Sequence, residues 1–327
     1  MKKQMKQKIM SAVANDLEKI EKSLKDNLDP YLELVRTIAG HILFSGGKRL
    51  RPLLMILCAR MCGYNQNNIF HFSTMFEYLH VATLLHDDVI DTADMRRGKK
   101  AAHLVFGAAE TVLTGDYLLS KSLSIACETG KMEIIQLAAR ITSEMTQGEL
   151  LQMKNQRNPH LTQDDYFQIV HSKTAVLMQA ACESGAILAD ASQEVIESVS
   201  NYGKHMGIAF QIADDILDYI ADTKILGKKV GADLREGKLT LPVIYTLQKA
   251  SEQERAFIEK MIQDVHFSFS DFEKLIDIME NLGSISFCLD KAQSFVDKAR
   301  ESLMGIPETD EHKILFDIAD YVVARDS

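Results

Sequence analysis

Prolines set the first limit on what this chain can form. Only five occur among 327 residues, at positions 30, 52, 159, 242 and 307. Proline has a locked φ and no N–H, so it breaks helices everywhere except in their first turn. Spacing this wide permits long, uninterrupted helices. Between the prolines apolar residues recur at intervals of three and four, as in Leu79, Ala82, Leu85 and Val89. That is the period of an α-helix, whereas strands alternate. The chain therefore reads as an all-α domain of about ten or more helices. No Pro/Gly/Ser-rich linker or low-complexity tract divides it, so residues 1–327 are expected to form one domain. Residues 70–90, 172–189 and 206–220 look apolar around much of their circumference, which places those helices inside the bundle.

Charge and composition remove several classes of function. With a formal net charge of −9, the surface does not attract polyanions, and nucleic-acid binding is not expected. The N-terminal MKKQMKQKIM carries charge but no apolar core, so it is no secretory signal. No apolar run approaches the roughly 18 residues that span a bilayer. Cys58, Cys62, Cys127, Cys182 and Cys288 are scattered through apolar stretches with no nearby histidine to complete a zinc set. They read as buried, reduced thiols of a soluble, cytoplasmic protein.

Two of the buried helices nevertheless carry dense acidic clusters. One reads Leu84-Leu85-His86-Asp87-Asp88-Val89-Ile90-Asp91, the other Gln211-Ile212-Ala213-Asp214-Asp215-Ile216-Leu217-Asp218. In each, the first and last Asp are four apart and project from one face. The neighbouring turns offer Thr83, Leu84, Thr92 and Met95 around the first row, and Phe210, Gln211 and Asp222 around the second. None is Lys or Arg. Crowded carboxylates on apolar helices need a cation from beyond their own helix. Oxygen-only ligands suit Mg²⁺ or Mn²⁺ better than zinc or copper, and Mg²⁺ held incompletely by protein is commonly shared with substrate phosphates. The EF-hand loop pattern is missing. A di-iron carboxylate site would need two Glu-x-x-His motifs, and only Glu77-Tyr78-Leu79-His80 is present.

Basic segments lie close in sequence to both rows. Gly46-Gly47-Lys48-Arg49-Leu50-Arg51-Pro52 is a glycine break running into a helix start, with Pro52 in the first turn, and such an N-terminus binds anions. Asp94-Met95-Arg96-Arg97-Gly98-Lys99-Lys100 follows the first row. Its arginines either cap helix carbonyls or offer bidentate forks to phosphate. Lys224, Lys228, Lys229 and Lys238 follow the second row. Lys173-Thr174 alone says little. Six aspartates and a diphosphate would be roughly neutralised by two or three Mg²⁺ together with these cations.

These motifs, in this order, resemble the trans-prenyltransferases of the polyprenyl diphosphate synthase family. The match covers Gly46 to Pro52, Glu77 to Gly98, Phe106 to Asp116, Lys173-Thr174, Phe210 to Tyr219 and Leu226 to Pro242, with no departure at a motif position. The resemblance implies an isoprenoid synthase-type helical bundle around a deep central cavity, usually as a homodimer. It implies that Asp87 and Asp91 ligate two Mg²⁺ and Asp214 a third, supported by Asp88, Asp215 and Asp218. Arg96, Lys173, Thr174, Gln211, Lys228 and Lys238 would hold an allylic diphosphate, and Lys48, Arg51, His80 and Arg97 isopentenyl diphosphate. Within these sets Asp87, Asp88, Asp91, Arg96, Lys173, Asp214 and Lys228 are the expected catalytic residues. The departing pyrophosphate, the family's usual base, would take the proton.

By the same resemblance the growing chain runs along the first acidic helix towards its N-terminus. There Ala82 and Thr83 are small where short-chain members tend to place aromatics, with Leu79 and then Met75 and Phe76 deeper. A heptaprenyl to decaprenyl product is expected, octaprenyl above all, built on farnesyl diphosphate for a respiratory quinone. A terpene cyclase would need only one such Asp motif and no second diphosphate site. A non-catalytic partner subunit would be expected to have lost motif residues.

Overall fold

The structure, a computed structural model, describes residues 2–220 and 231–324. Sixteen α-helices hold most of the described residues. They are α1 (Lys2–Asn27), α2 (Glu33–Leu43), α3 (Leu50–Met61), α4 (Ile69–Ile90), α5 (Ala102–Phe106), α6 (Ala108–Glu128), α7 (Met132–Lys154) and α8 (Gln163–Val170). A π-helical turn (His171–Ala175) leads into α9 (Val176–Leu188) and the long α10 (Gln193–Ile220). After the undescribed residues come α11 (Ala232–Arg235), α12 (Leu241–Lys249), α13 (Glu252–Gln263), α14 (Phe269–Asn281), α15 (Ser284–Ser302) and α16 (Asp310–Ala324). The expected all-α class holds, and every proline falls where a helix tolerates it. Pro30, Pro159 and Pro307 lie between helices, and Pro52 and Pro242 sit in the first turns of α3 and α12.

Several helix starts are written locally. Thr162 with Asp165, Ser251 with Glu254 and Ser268 with Asp271 form capping boxes at α8, α13 and α14, each satisfying two otherwise orphaned N–H groups. What the helices do next is decided by burial. α4 packs on α6, α3 and α1, and α10 on α9 and α15. Both are buried on several faces, as their apolar circumference requires. The apolar interior has two parts, and α10 belongs to both. Its Val199, Tyr202 and Met206 join α1–α7, α9 and α16, while Ile208, Ile212 and Ile216 join α8 and α12–α15.

Two features differ from expectation. The Arg96-Arg97-Gly98 stretch is a small hairpin, β1 (Met95–Arg96) paired antiparallel with β2 (Lys99–Lys100). Arg97 and Gly98 both have positive φ, 50° and 75°, the two-residue turn that matches strand twist. Cys127 is exposed rather than buried, although all five thiols are unpaired. Among the described residues no helix is long and apolar enough to cross a membrane.

Candidate active site

Both acidic rows open onto one cavity of about 1210 Å³. Asp87 comes from α4 and Asp91 from its C-terminal cap, and Asp214, Asp215 and Asp218 from α10. The same wall holds Lys48, Arg51, His80, Arg96, Arg97, Lys173, Thr174, Gln211 and Lys238, and further in Leu79, Ala82 and Thr83. Of the expected catalytic and substrate-binding residues that are described, Asp88 alone stands behind the wall. Lys228, like Lys224 and Lys229, lies outside the described residues. Met75 and Phe76 are core residues, 1% and 0% exposed, and not cavity lining.

Cations for the first row come from three other elements. Lys238 Nζ donates to Asp91 Oδ2 at 2.8 Å, and Lys173 Nζ stands 4.0 Å from Asp87 Oδ2. Arg96, on the hairpin, donates through Nε to Asp88 Oδ1 at 2.7 Å and through a second nitrogen to the same oxygen. Asp88 is fully buried and its other oxygen has no partner. Compensation at Asp87 is incomplete. Burial pushes its carboxyl up to about 6, with Lys173 opposing and Glu149 and Asp91 adding to the rise. Lys173 is itself shared, donating to Glu149 at 2.5 Å and Gln152 at 2.7 Å on α7.

The π-helical turn that carries Lys173 and Thr174 is wedged between α7 and α10. A Cβ on Gly148 would lie 2.7 Å from Ser172 Cβ, and one on Gly207 2.6 Å from Ala175 Cα. The extra residue of a π-turn, a feature frequent at functional sites, accompanies two adjacent side chains that both face the cavity. Thr174 donates to Gln211 Oε1 at 3.0 Å, and Gln211 donates to Asp215 Oδ1 at 2.7 Å. Tyr166 on α8 completes this chain, donating to Asp215 Oδ2 at 2.6 Å. Burial and then Asp233 push the Asp215 carboxyl well above the ordinary range, against those two donors. Asp218 accepts the backbone N–H groups of Ala232 and Asp233 at 3.2 and 3.1 Å, and so ties α10 to α11. Asp233, buried beside it, is raised to about 7, first by burial and then by Asp218.

The basic end is organised by Arg49, which sequence reasoning passed over in favour of its neighbours. Arg49 adopts the left-handed conformation (φ 47°) and is 3% exposed. It donates to Glu21 and Glu77 at 2.6 Å each and to the Leu43 carbonyl. Glu77 is thereby committed to an ion pair, which removes the di-iron reading of Glu77 and His80. Gly47 gives these guanidinium groups room, since a Cβ there would lie 3.0 Å from Arg49 Nη1 and 3.4 Å from Arg97 Nη1. Arg97 donates to the carbonyls of Ile42 (3.0 Å) and Gly46 (2.6 Å). It thus caps the last turn of α2 rather than its own preceding helix. Arg51 keeps a buried Nε without a partner, and burial, with Arg97 adding, brings its guanidinium down to about 10. Burial and then Arg51, Arg97, Arg96 and Arg49 hold His80 well below the usual histidine range, and so neutral.

These features make a cavity with carboxylates on two facing helices and incompletely satisfied cations beside them. Among the described residues no three His, Cys, Asp or Glu side chains converge closely enough to hold a metal ion alone. The carboxylate oxygens of both rows are the ligand type that Mg²⁺ shared with phosphate takes. Sequence reasoning missed Arg49, Glu149, Gln152, Tyr166, Asp233 and Glu236. Arg49 lies inside the basic segment 46–52, and Asp233 and Glu236 stand beside Lys238 in a Gly-rich stretch, whereas Glu149, Gln152 and Tyr166 are brought in by tertiary packing alone.

The geometry can be set beside known proteins. A profile of the family described as Polyprenyl synthetase matches residues 32–279. Octaprenyl diphosphate synthase of Escherichia coli (strain K12) is 34% identical over 320 residues, covering 98% of this chain and 99% of its own. All-trans-nonaprenyl-diphosphate synthase (geranyl-diphosphate specific) of Rhodobacter capsulatus is 34% identical over 323 residues, covering 98% of each chain. Among solved structures, the polyprenyl synthase of Caulobacter crescentus CB15 complexed with calcium and isoprenyl diphosphate superposes with a TM-score of 0.92 at 35% identity, covering 98% of this chain and 97% of that one. This chain therefore belongs to the polyprenyl synthetase family and is a prenyltransferase.

Proposed function

We propose that this enzyme is a long-chain trans-polyprenyl diphosphate synthase that adds isopentenyl diphosphate stepwise to an allylic diphosphate. The observation that carries the reading is the joining of two acidic rows and two groups of cations around one cavity. Asp87, Asp91 and Asp214 would hold Mg²⁺, which fits their oxygen-only chemistry and the raised Asp87 carboxyl. Bound there, the ions would take up charge that develops on the departing pyrophosphate. Arg96, Lys173 and Lys238 add positive charge at the same place, where preorganised dipoles and charges act most strongly. Arg51, Lys48, His80 and Arg97 hold isopentenyl diphosphate. A neutral His80 donates one hydrogen bond without the desolvation cost of a buried imidazolium. The allylic C–O bond breaks with its electron pair leaving on the pyrophosphate. The alkene of isopentenyl diphosphate then supplies the pair for the new C–C bond, and a proton leaves to the pyrophosphate oxygen.

A carbocation survives only where no nucleophile reaches it. Three threonines of the wall turn their hydroxyls back onto carbonyls of their own helices. Thr83 donates to His80 O (2.8 Å), Thr142 to Ala138 O (2.8 Å) and Thr146 to Thr142 O (3.0 Å). Together with Leu79, Ala82 and Leu119 they leave a largely apolar wall in which Ala82 and Thr83 are small, which supports a product of about eight isoprene units. A respiratory quinone side chain is the proposed use, and farnesyl diphosphate the proposed primer. Exposed Leu34, Leu104, Val105 and Leu113 lie on the mutually packed α2, α5 and α6, and this apolar face supports a homodimer.

The test is direct. Purified protein is incubated with farnesyl diphosphate, isopentenyl diphosphate and Mg²⁺, and product mass is read with and without chelator. Growth to about forty carbons that chelation abolishes supports the reading, whereas an inert pure chain would instead favour a partner-subunit role.

A further inference from the structure

The wall formed by residues 231–240 presents Asp233, Arg235, Glu236 and Lys238 to the cavity. On its inner side it is fastened by the Asp218 carboxylate, as described above. Its outer side is fastened by a residue that does not touch the cavity at all. Arg157, in the loop between α7 and α8, receives nothing from the reaction and is absent from the cavity lining. Its backbone N–H donates to Gly237 O at 2.8 Å, and its guanidinium donates to Arg235 O at 2.9 Å and Ile262 O at 2.5 Å. Gln263, at the end of α13, closes the set by donating to Arg157 O at 2.9 Å. Gly237, at φ 81°, leaves room for the arginine stem, because a Cβ there would lie 2.9 Å from Arg157 Cγ.

We infer that Arg157 is a positioning residue for the prenyl-transfer site, acting through Lys238. On the function proposed above, this clamp sets where Lys238 stands. Lys238 follows Gly237 directly and reaches across to Asp91, 2.8 Å away at the C-terminal cap of α4. Two carbonyls of its own segment, those of residues 235 and 237, are held by Arg157, and the third, that of Ile262, anchors the clamp to α13. One planar guanidinium can bridge two carbonyls on separate elements, which a lysine ammonium on a flexible stem does less rigidly. Arg157 also holds a left-handed backbone (φ 55°), costly for a long side chain. That strain is offset by the four hydrogen bonds just named.

The substitution Arg157→Asn tests this. Asparagine tolerates the left-handed region, so backbone strain does not confuse the result, and the N–H to Gly237 is kept. The expected effect is a KM for the allylic diphosphate raised about 10-fold with kcat changed less than about 3-fold. In a Lys238→Ala background the same change should move KM by less than about 2-fold, because the two residues act as one unit. Equal effects in both backgrounds would overturn the inference, as would a lowered Tm with unchanged KM. If Arg157→Asn fails to fold, Arg157→Lys serves, with the same direction and a smaller rise expected. Wild-type protein that elongates nothing would sink the functional reading. Active wild type with unaltered Arg157 variants would sink this inference alone.

Discussion

Replacing Asp88 by Asn separates two roles that the acidic row allows for its middle member. If Asp88 acts by holding Arg96, the variant should lose catalytic efficiency while keeping its metal requirement. The magnitude follows from burial. Asp88 has a side-chain exposure of 0% and Arg96 of 27%, and their closest approach is 2.5 Å. A hydrogen bond to a charged group contributes about 1.5–3 kcal/mol, or roughly 10- to 150-fold in kcat/KM if all of it positions Arg96 for the transition state. One correction lowers that figure. The second oxygen of Asp88 is buried without a partner, so removing the charge also relieves a desolvation penalty. We therefore expect the lower end, about 10-fold. Steady-state kinetics over a Mg²⁺ titration gives both quantities. The half-saturating Mg²⁺ concentration should stay at the wild-type value in Asp88→Asn and rise in Asp91→Asn. In an Arg96→Ala background Asp88→Asn should add nothing. A Mg²⁺ requirement displaced as far as in the Asp91 variant would refute the reasoning and make Asp88 a metal ligand.

Two other perturbations address product length and pH. Ala82 lines the cavity five residues before Asp87, about 7.5 Å along the α4 axis, so Ala82→Phe should cut the product to about farnesyl or geranylgeranyl. An unchanged product ladder would place the floor elsewhere. For pH, the folded carboxyls of Asp87 (about 6) and Asp233 (about 7) lie above the unfolded value, so the folded chain binds more protons between about pH 4 and 7. Their favourable contribution is complete below that window and lost as pH rises through it. The Tm of chelator-treated protein should fall from about pH 5 to about pH 8, and Mg²⁺ should restore it. Carboxyls held low by caps, such as Asp165 and Asp271, lose their contribution only at more acid pH. A Tm that climbs across the window without metal would contradict the burial argument.

The fold class was legible because proline spacing and the three-to-four period are local properties. So was the existence of the site, since like-charged rows on apolar helices cannot be explained within their own turns. What stayed hidden is long-range. Arg49 reads as one more cation in a basic segment until folding places it between Glu21 and Glu77. Tyr166, Glu149 and Gln152 sit in ordinary helical sequence, and their relevance depends on which way α7 and α8 face. The hairpin at residues 95–100 was missed because two-residue strands have no period to detect. Its turn residues, Arg97 and Gly98, gave a signal that also suits a helix end. Met75 and Phe76, one turn beyond Leu79 on the same face of α4, belong to the core and not to the cavity wall, which the helical period alone does not distinguish.

The pairing of lysines with aspartates bears on how charge is managed before substrate arrives. Among the described residues Lys238 pairs with Asp91 and Lys173 stands beside Asp87. Each is also tethered to another carboxylate, Glu236 or Glu149, so neither is wholly committed to the row. Burial alone would lower the Lys238 ammonium, yet Glu236 and Asp91 outweigh it and hold it above the usual lysine range. It therefore stays charged at every pH at which the enzyme works. On the proposed reading, divalent cations at Asp87 and Asp91 take over the compensation these ammonium groups provide. That leaves both lysines available to an arriving diphosphate without leaving the row bare. The row and its lysines are then alternative partners within one charge balance, and the second tether keeps each lysine near the anion while its first partner is occupied.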